Sequence, residues 1–297
     1  MERKIVLGTR GSELALTQAR LVEDAICTRR KDVAIETKII ATRGDRTKIV
    51  EARAGWKGFF TAEIERALMA GEVDVAVHSA KDLPSETDAR TAIAAVLPRA
   101  AADDVLISKD KGGLAGLRKG AIVATSSVRR TYQLRWQRRD LAIVDLRGNV
   151  PTRLRKLAES EWDAIVLARA GIDRLGVSID FSVEPLPSDV FLPAGGQGIV
   201  ALQIRHDDEQ TEAIVDLAND GETLLCLRAE REFLRLLKVD CNAPVGVLAK
   251  IEGEKMMMRA QFFSDESPVP HEAEVEGGRD QGQRLAGYLL TEIRTKT

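Results

Sequence analysis

The chain has 297 residues, of which 44% are hydrophobic and 30% charged, with a formal net charge of −2. That length accommodates two or three domains, each with its own core. Aromatic residues at 4%, and basic residues gathered in no tail or stripe, exclude a base-stacking or electrostatic nucleic-acid surface.

The N-terminus, Met1-Glu2-Arg3-Lys4, runs directly into Ile5-Val6-Leu7 without an apolar h-region, and no apolar run is long enough to span a bilayer. The expectation is a cytoplasmic protein with no membrane partner. Ile5–Thr9 reads as a strand. Ser12 caps a helix through Cys27, with Leu14, Leu16, Ala19, Val22 and Ile26 on its apolar face. Val33–Ile40 alternates as a strand does, Thr61 opens a helix through Ala70, and Val73–Val77 is a buried strand. Strands alternating with helices imply crossover units and a largely parallel sheet.

After Pro98 the pattern restarts. Val105–Ser108, Ile122–Thr125, Ile143–Leu146 and Ala164–Leu167 read as strands, and Ser126–Arg138 and Pro151–Ser160 as helices. Glu184–Asp189 has loop chemistry, and Pro193–Gly198 is a glycine-rich crossing. A strand at Val200–Ile204 and a helix at Glu209–Ala218 follow. The tail differs in kind: a helix at Glu222–Leu237, antiparallel strands at Val245–Ile251 and Met256–Phe263, and a helix at Gln283–Arg294. The fold expected is α/β, with two lobes around a cleft and a small C-terminal α+β domain. Lobe 1 is 1–98 with 197–218, lobe 2 is 99–196, and the C-terminal domain is 219–297.

Short basic turns recur where strands hand over to helices: Thr9-Arg10-Gly11-Ser12, Thr42-Arg43-Gly44-Asp45, Lys57-Gly58, Lys81-Asp82, Ser126-Ser127-Val128-Arg129-Arg130 and Arg147-Gly148-Asn149. Ligands of open α/β sheets bind beyond the carboxyl ends of the strands, and helix N-termini there attract anions. In a chain of net charge −2, such turns predict one cleft for a ligand with many negative groups. Asp82, at the end of the strand before Leu83-Pro84, is a lone carboxylate among cations. It suits stabilisation of a cationic intermediate or proton transfer, against the plainer reading of a turn former. The hydroxyls of Ser126 and Ser127 either hold an anion with the arginines or merely cap a helix beside solvated arginines.

The histidines His78, His206 and His271 lie far apart, and Cys27, Cys226 and Cys241 make no metal-ligand spacing, so no metal is expected. Cys27 and Cys226 sit on apolar helical phases and read as buried thiols. Cys241 lies in a polar loop ahead of Asn242-Ala243-Pro244 and is the one candidate nucleophile, against the plainer reading of an unreactive loop cysteine. Pro193-Ala194-Gly195-Gly196-Gln197-Gly198 lacks the context of a nucleotide loop and reads as a hinge.

Taken in order, these motifs, together with Thr125, Leu146-Arg147-Gly148-Asn149-Val150, Arg174-Leu175-Gly176 and Cys241–Gly246, closely resemble the hydroxymethylbilane synthase (porphobilinogen deaminase) family over nearly the whole chain. The resemblance implies two doubly wound lobes like those of periplasmic binding proteins, and a transferase of tetrapyrrole (porphyrin and heme) biosynthesis. Such an enzyme adds four porphobilinogens, with loss of ammonia, to a dipyrromethane cofactor and releases linear hydroxymethylbilane. Loss of ammonia leaves an electron-poor azafulvene, whose charge a carboxylate near the pyrrole N–H stabilises. By resemblance Asp82 is catalytic and Cys241 holds the cofactor through a thioether. Arg10, Ser12, Lys57, Lys81, Thr125, Ser126, Ser127, Arg129, Arg130, Arg147, Gly148, Asn149, Arg153, Arg174 and Gln197 match cofactor- and substrate-binding positions. Each pyrrole brings an acetate and a propionate, which arginine forks suit. The family carries Gly-Gly before its cysteine where this chain has Val239-Asp240; it often has lysine at Arg53 and glycine at Trp56. A monomer is expected, with porphobilinogen as its small-molecule partner. The rival reading is a non-catalytic two-lobed binding protein for a polycarboxylate.

Overall fold

The structure is a computed structural model that describes residues 3–42, 61–238, 243–265, 267 and 269–295. It divides into two compact units: Met1–Arg99 with Ile199–Cys241, and Ala100–Gly198 with Asn242–Thr297.

Unit 1 is built on a sheet of β1 (Arg3–Thr9), β2 (Val33–Ile39), β3 (Val75–Ser79), β4 (Thr91–Val96) and β10 (Val200–Arg205), ordered β2-β1-β3-β10-β4. β1, β2 and β3 are parallel, and β10 runs antiparallel to both β3 and β4. Helix α1 (Glu13–Arg29) begins at Ser12, whose hydroxyl accepts from the Ala15 N–H at 3.3 Å. It buries Ala15, Gln18, Ala19, Val22 and Ile26. Its Val22 and Ile26 join Ile5, Leu7, Val75, Val77, Val200 and Leu202 in one core. Helix α2 (Ala62–Met69) covers the other face with Ile64 and Leu68, in a cluster with Val73 and Ala76. Burial on both faces explains why Val75-Ala76-Val77 reads as an unbroken apolar run.

Unit 2 repeats the plan. β5 (Asp104–Ser108), β6 (Ile122–Ala124), β7 (Ala142–Val144), β8 (Ala164–Ala168) and β9 (Ser182–Leu186) form a sheet ordered β7-β6-β8-β5-β9. β6, β7 and β8 are parallel, and β5 runs antiparallel to β8 and β9. In each sheet the antiparallel inner strand is the first one after the chain has crossed from the other unit. Helices α3 (Val128–Gln137), α4 (Val150–Glu159) and α5 (Arg169–Leu175) follow β6, β7 and β8. Leu134 and Leu157 pack into cores on the two faces. The sheets are therefore mixed rather than largely parallel, because a strand arriving from a crossing enters in the reverse direction.

Three strands were hidden in the sequence. Glu184-Pro185-Leu186 belongs to β9 rather than to a loop, with Pro185 opposite Val105. β9 is an edge strand, where proline's missing N–H costs no ladder bond. β4 and the strand His271–Gly278 were also unread.

Helix α6 (Glu209–Val215) precedes α7 (Gly221–Leu237), which belongs to unit 1 and packs Leu224 and Leu227 against Ala80, Leu83, Val96 and Ile199. Strands β11 (Val245–Glu252), β12 (Lys255–Phe262) and β13 (His271–Gly278) make an antiparallel sheet. Helix α8 (Gly282–Thr295) closes on it, burying Leu285, Leu289 and Ile293. Ala100 N–H donates to the Gly198 carbonyl at 3.1 Å. Gly198 has φ +87°, and a Cβ there would lie 2.4 Å from the Ala100 oxygen, so this close approach requires glycine. Among the described residues no helix is long and apolar enough to cross a membrane.

Candidate active site

Where β3 ends, the chain turns through a short 3₁₀ segment, Ala80–Asp82, stopped by Leu83-Pro84. Asp82 thus stands beyond the carboxyl end of a buried parallel strand. The turn between β1 and α1 reaches the same place. Arg10, Ser12, Gln18, His78, Ser79 and Asp82 line one small pocket of about 70 Å³, with Leu14, Ala15, Thr61 and Val77. The structure therefore brings together Arg10, Ser12 and Asp82, which are 70 or more positions apart in the sequence for the outer pair. Lys81 is half-buried beside Asp82. A larger hollow of about 630 Å³, lined by Met69, Arg90 and residues 205–210, holds none of the predicted site residues.

The pocket also contains residues that were not read from the sequence. Gln18 donates to the Ser79 hydroxyl at 2.8 Å, holding α1 against the end of β3. His78 is 4% exposed, and its Nε2 lies 3.1 Å from Oε1 of Gln203. The Gln203 amide donates to Glu65 and Thr91, each at 2.7 Å, so its oxygen faces the ring and His78 donates from Nε2. Burial pushes the imidazole down to about 4, against the upward pull of the Gln203 bond and with a further lowering from Arg231. His78 is neutral at pH 7. The signal for it was its place in an apolar strand, where a polar residue demands a partner.

In unit 2 the basic turns take two forms. At the β6–α3 turn, Ser127 caps α3 by accepting from the Arg130 N–H at 3.4 Å. The Ser126 hydroxyl is bonded to the Leu146 carbonyl, and the buried Thr125 hydroxyl accepts from the Ser127 N–H at 3.2 Å. Arg129 and Arg130 point inward. They are 4% and 6% exposed, and they grip the two oxygens of fully buried Asp104 at 2.9 and 2.7 Å. Gln197 donates to the same carboxylate at 2.8 Å and to the Ala102 carbonyl at 2.6 Å. Burial would raise the Asp104 carboxyl, but the two guanidiniums and the amide hold it well below the usual carboxylate range. Burial lowers Arg129, against the upward pull of Asp104. The Nε atoms of both arginines are buried without a partner.

At the β7–α4 turn, Asn149 caps α4 by accepting from Thr152 at 2.9 Å. Gly148 takes φ +119°. The exposed Arg147 donates to Asp145 at 2.8 Å, and Arg153 to the Gly148 carbonyl at 2.7 Å. Arg174, half-buried at the end of α5, donates to the Gly198 carbonyl at 2.6 Å and is lowered by desolvation. Cys226 is buried, its thiol pushed up to about 12 by burial, while Cys27 is half-buried. Lys57 and Cys241, with Arg43, Arg53, Trp56 and Val239-Asp240, lie outside the described residues.

Residues 5–213 match the family model described as porphobilinogen deaminase, dipyromethane cofactor binding domain. The chain belongs to the porphobilinogen deaminase family. Residues 224–291 match that family's C-terminal domain. The porphobilinogen deaminase of Syntrophomonas wolfei is 42% identical over 293 residues, 95% of each chain. That of Nitrobacter winogradskyi is 42% identical over 297 residues, 98% of this chain and 92% of its own. Among solved structures, the probable amino-acid ABC transporter extracellular-binding protein of Bacillus subtilis is similar at 11% identity and a TM-score of 0.44, over 73% of this chain and 90% of that one.

Proposed function

We propose that this chain joins four porphobilinogens head to tail, with loss of ammonia at each condensation, and releases the linear tetrapyrrole hydroxymethylbilane. The observation that carries the reading is the shared pocket of Asp82, Arg10 and Ser12. An acid at a strand end beside cations suits a reaction whose ligand is anionic at its rim and transiently cationic at its ring.

The residues fit a dipyrromethane group. The cationic turns around Arg147 and Arg153 offer what a row of carboxylates requires, and Arg129 and Arg130, which also hold Asp104, join them in this reading. Cys241 is the proposed thioether attachment point, and Lys57, Lys81, Arg174 and Gln197 join the binding set. When bound, the dipyrromethane supplies a pyrrole carbon as primer for condensation. Asp82 accepts from the pyrrole N–H and stabilises positive charge as it develops. Arg10 offers a guanidinium to an acetate or propionate. Ser12 commits its hydroxyl to capping α1, so its place is fixed. His78, neutral, adds no second positive charge beside the one Asp82 must stabilise.

The three-part division (1–98 with 197–218, 99–196 and 219–297), a monomeric state and a cytoplasmic location belong to the same reading. Intact mass and Ehrlich's reagent test it together. A protein heavier by two pyrrole units, reagent-positive and converting porphobilinogen to hydroxymethylbilane, is expected. A folded, colourless protein that binds but does not convert porphobilinogen would instead be the polycarboxylate receptor.

A further inference from the structure

Helix α7 carries an arginine that the reading above does not use. Arg231 is half-buried in unit 1 and, among the described residues, makes a single hydrogen bond, from Nη2 to the Ser85 carbonyl at 3.2 Å. Three other enclosed arginines have carboxylates. Arg99 meets Glu230 at 2.5 Å, and Arg129 and Arg130 share Asp104. Among the described residues Arg231 has none. Desolvation alone pulls it down, to about 10, with no acid restoring it. Burying a charge without a partner is costly, and removing one partner of a buried pair is strongly destabilising. Its Nε and Nη1 make no hydrogen bond within the described residues. The guanidinium therefore keeps two nitrogens whose donors are uncommitted.

Its position gives that anion a context. Ser85 lies three residues beyond Asp82, and Arg231 acts electrostatically on His78, which lines the Asp82 pocket. Arg231 is not itself in that lining, so what it binds lies beside the pocket. We infer that Arg231 is a further anion-binding residue of the Asp82 site, taking a carboxylate of the pyrrole ligand next to the loop Leu83–Ser85. The inference rests on the activity proposed above. The carboxylate belongs either to an incoming monomer or to the lengthening chain.

The test compares wild type, Arg231→Gln and Arg231→Lys, each carrying its attached dipyrromethane by intact mass. Glutamine keeps a donor for the Ser85 carbonyl but removes the charge; lysine keeps the charge. Losing one charge-assisted bond to a carboxylate should raise KM for porphobilinogen roughly 10- to 100-fold in Arg231→Gln, with Arg231→Lys partly restored. With limiting porphobilinogen, the mass spectrum of covalent species shows an even slowing if the monomer is held, or accumulation at one length if the chain is held. A non-reactive pyrrole with acetate and propionate arms should raise the Tm of wild type but not of Arg231→Gln, and its diester should raise neither. An Arg231→Gln protein with wild-type KM, mass ladder and diacid response overturns the inference. So does one that loses only kcat and ligand-free Tm, which would make Arg231 a brace for the loop. A wild type without turnover refutes the activity instead.

Discussion

Nη2 of Arg130 lies 2.7 Å from Oδ1 of Asp104, and that carboxylate has no solvent exposure at all. Arg129 takes the other oxygen, so one buried anion answers for two cations drawn from the first turn of α3. Asp104 is the first residue of β5, and Gln197 ties it to the returning crossing. The arginines that the sequence offers as carboxylate binders are thus also a structural brace.

Asp104→Asn should destabilise the protein by about 3–5 kcal/mol, because it strands two guanidiniums away from water. Urea unfolding followed by circular dichroism would measure this. A change below about 1 kcal/mol would mean that the arginines find another counter-charge on their own.

Asp82→Asn keeps the size of the side chain and removes its charge. The variant should fold and retain its covalent cofactor but lose roughly 10²- to 10⁴-fold in kcat, the usual weight of a positioned electrostatic or acid–base group. Stopped assays of hydroxymethylbilane release would show it, and near-normal turnover would remove Asp82 from the chemistry.

Cys241→Ser should fold yet lack the added mass of two pyrrole units, with Cys27 and Cys226 unmodified in peptide maps. Burial disfavours the Cys226 thiolate, the reactive form. An adduct recovered on either of those cysteines would overturn the assignment.

His78 makes stability depend on pH in a definite direction. Its ordinary value of 6.5 is depressed to about 4 in the fold. Between these values the unfolded chain binds a proton that the folded chain refuses, so stability is full above 6.5 and falls as the pH drops toward 4. The difference corresponds to about 3 kcal/mol. Unfolding free energies at pH 7.5 and 4.5 should therefore converge in His78→Gln relative to wild type. Parallel pH dependence in the two proteins would show that the imidazole is not buried neutral.

The alternation of strand and helix was legible because sheets covered on both faces leave continuous apolar runs such as Val75–Val77 and Ala164–Leu167. The cap at Ser12 and the strand-end position of Asp82 were equally plain, since they depend on neighbours in sequence. Strand direction was not. That β5 and β10 run antiparallel depends on partners about a hundred residues away, and Pro185 disguised an edge strand as a turn. The turn arginines also looked alike in sequence. Only packing separates Arg147, exposed beside Asp145, from Arg129, enclosed with Asp104. His78 and Gln18 went unread as pocket residues because their partners, Gln203 and Ser79, are remote in the chain.

The exchange of inner strands also governs synthesis. β3 and β4 of the first sheet have no hydrogen-bonded contact with each other; β10 lies between them and completes both ladders. A ribosome that has released residues 1–99 has made most of unit 1, but not the strand that closes it. Another hundred residues must emerge, some 5–20 s at ordinary elongation rates. Through that interval two unpaired strand edges face solvent or a chaperone, in a segment that holds Asp82. Truncation before residue 205 should therefore give an aggregating fragment rather than a smaller working lobe.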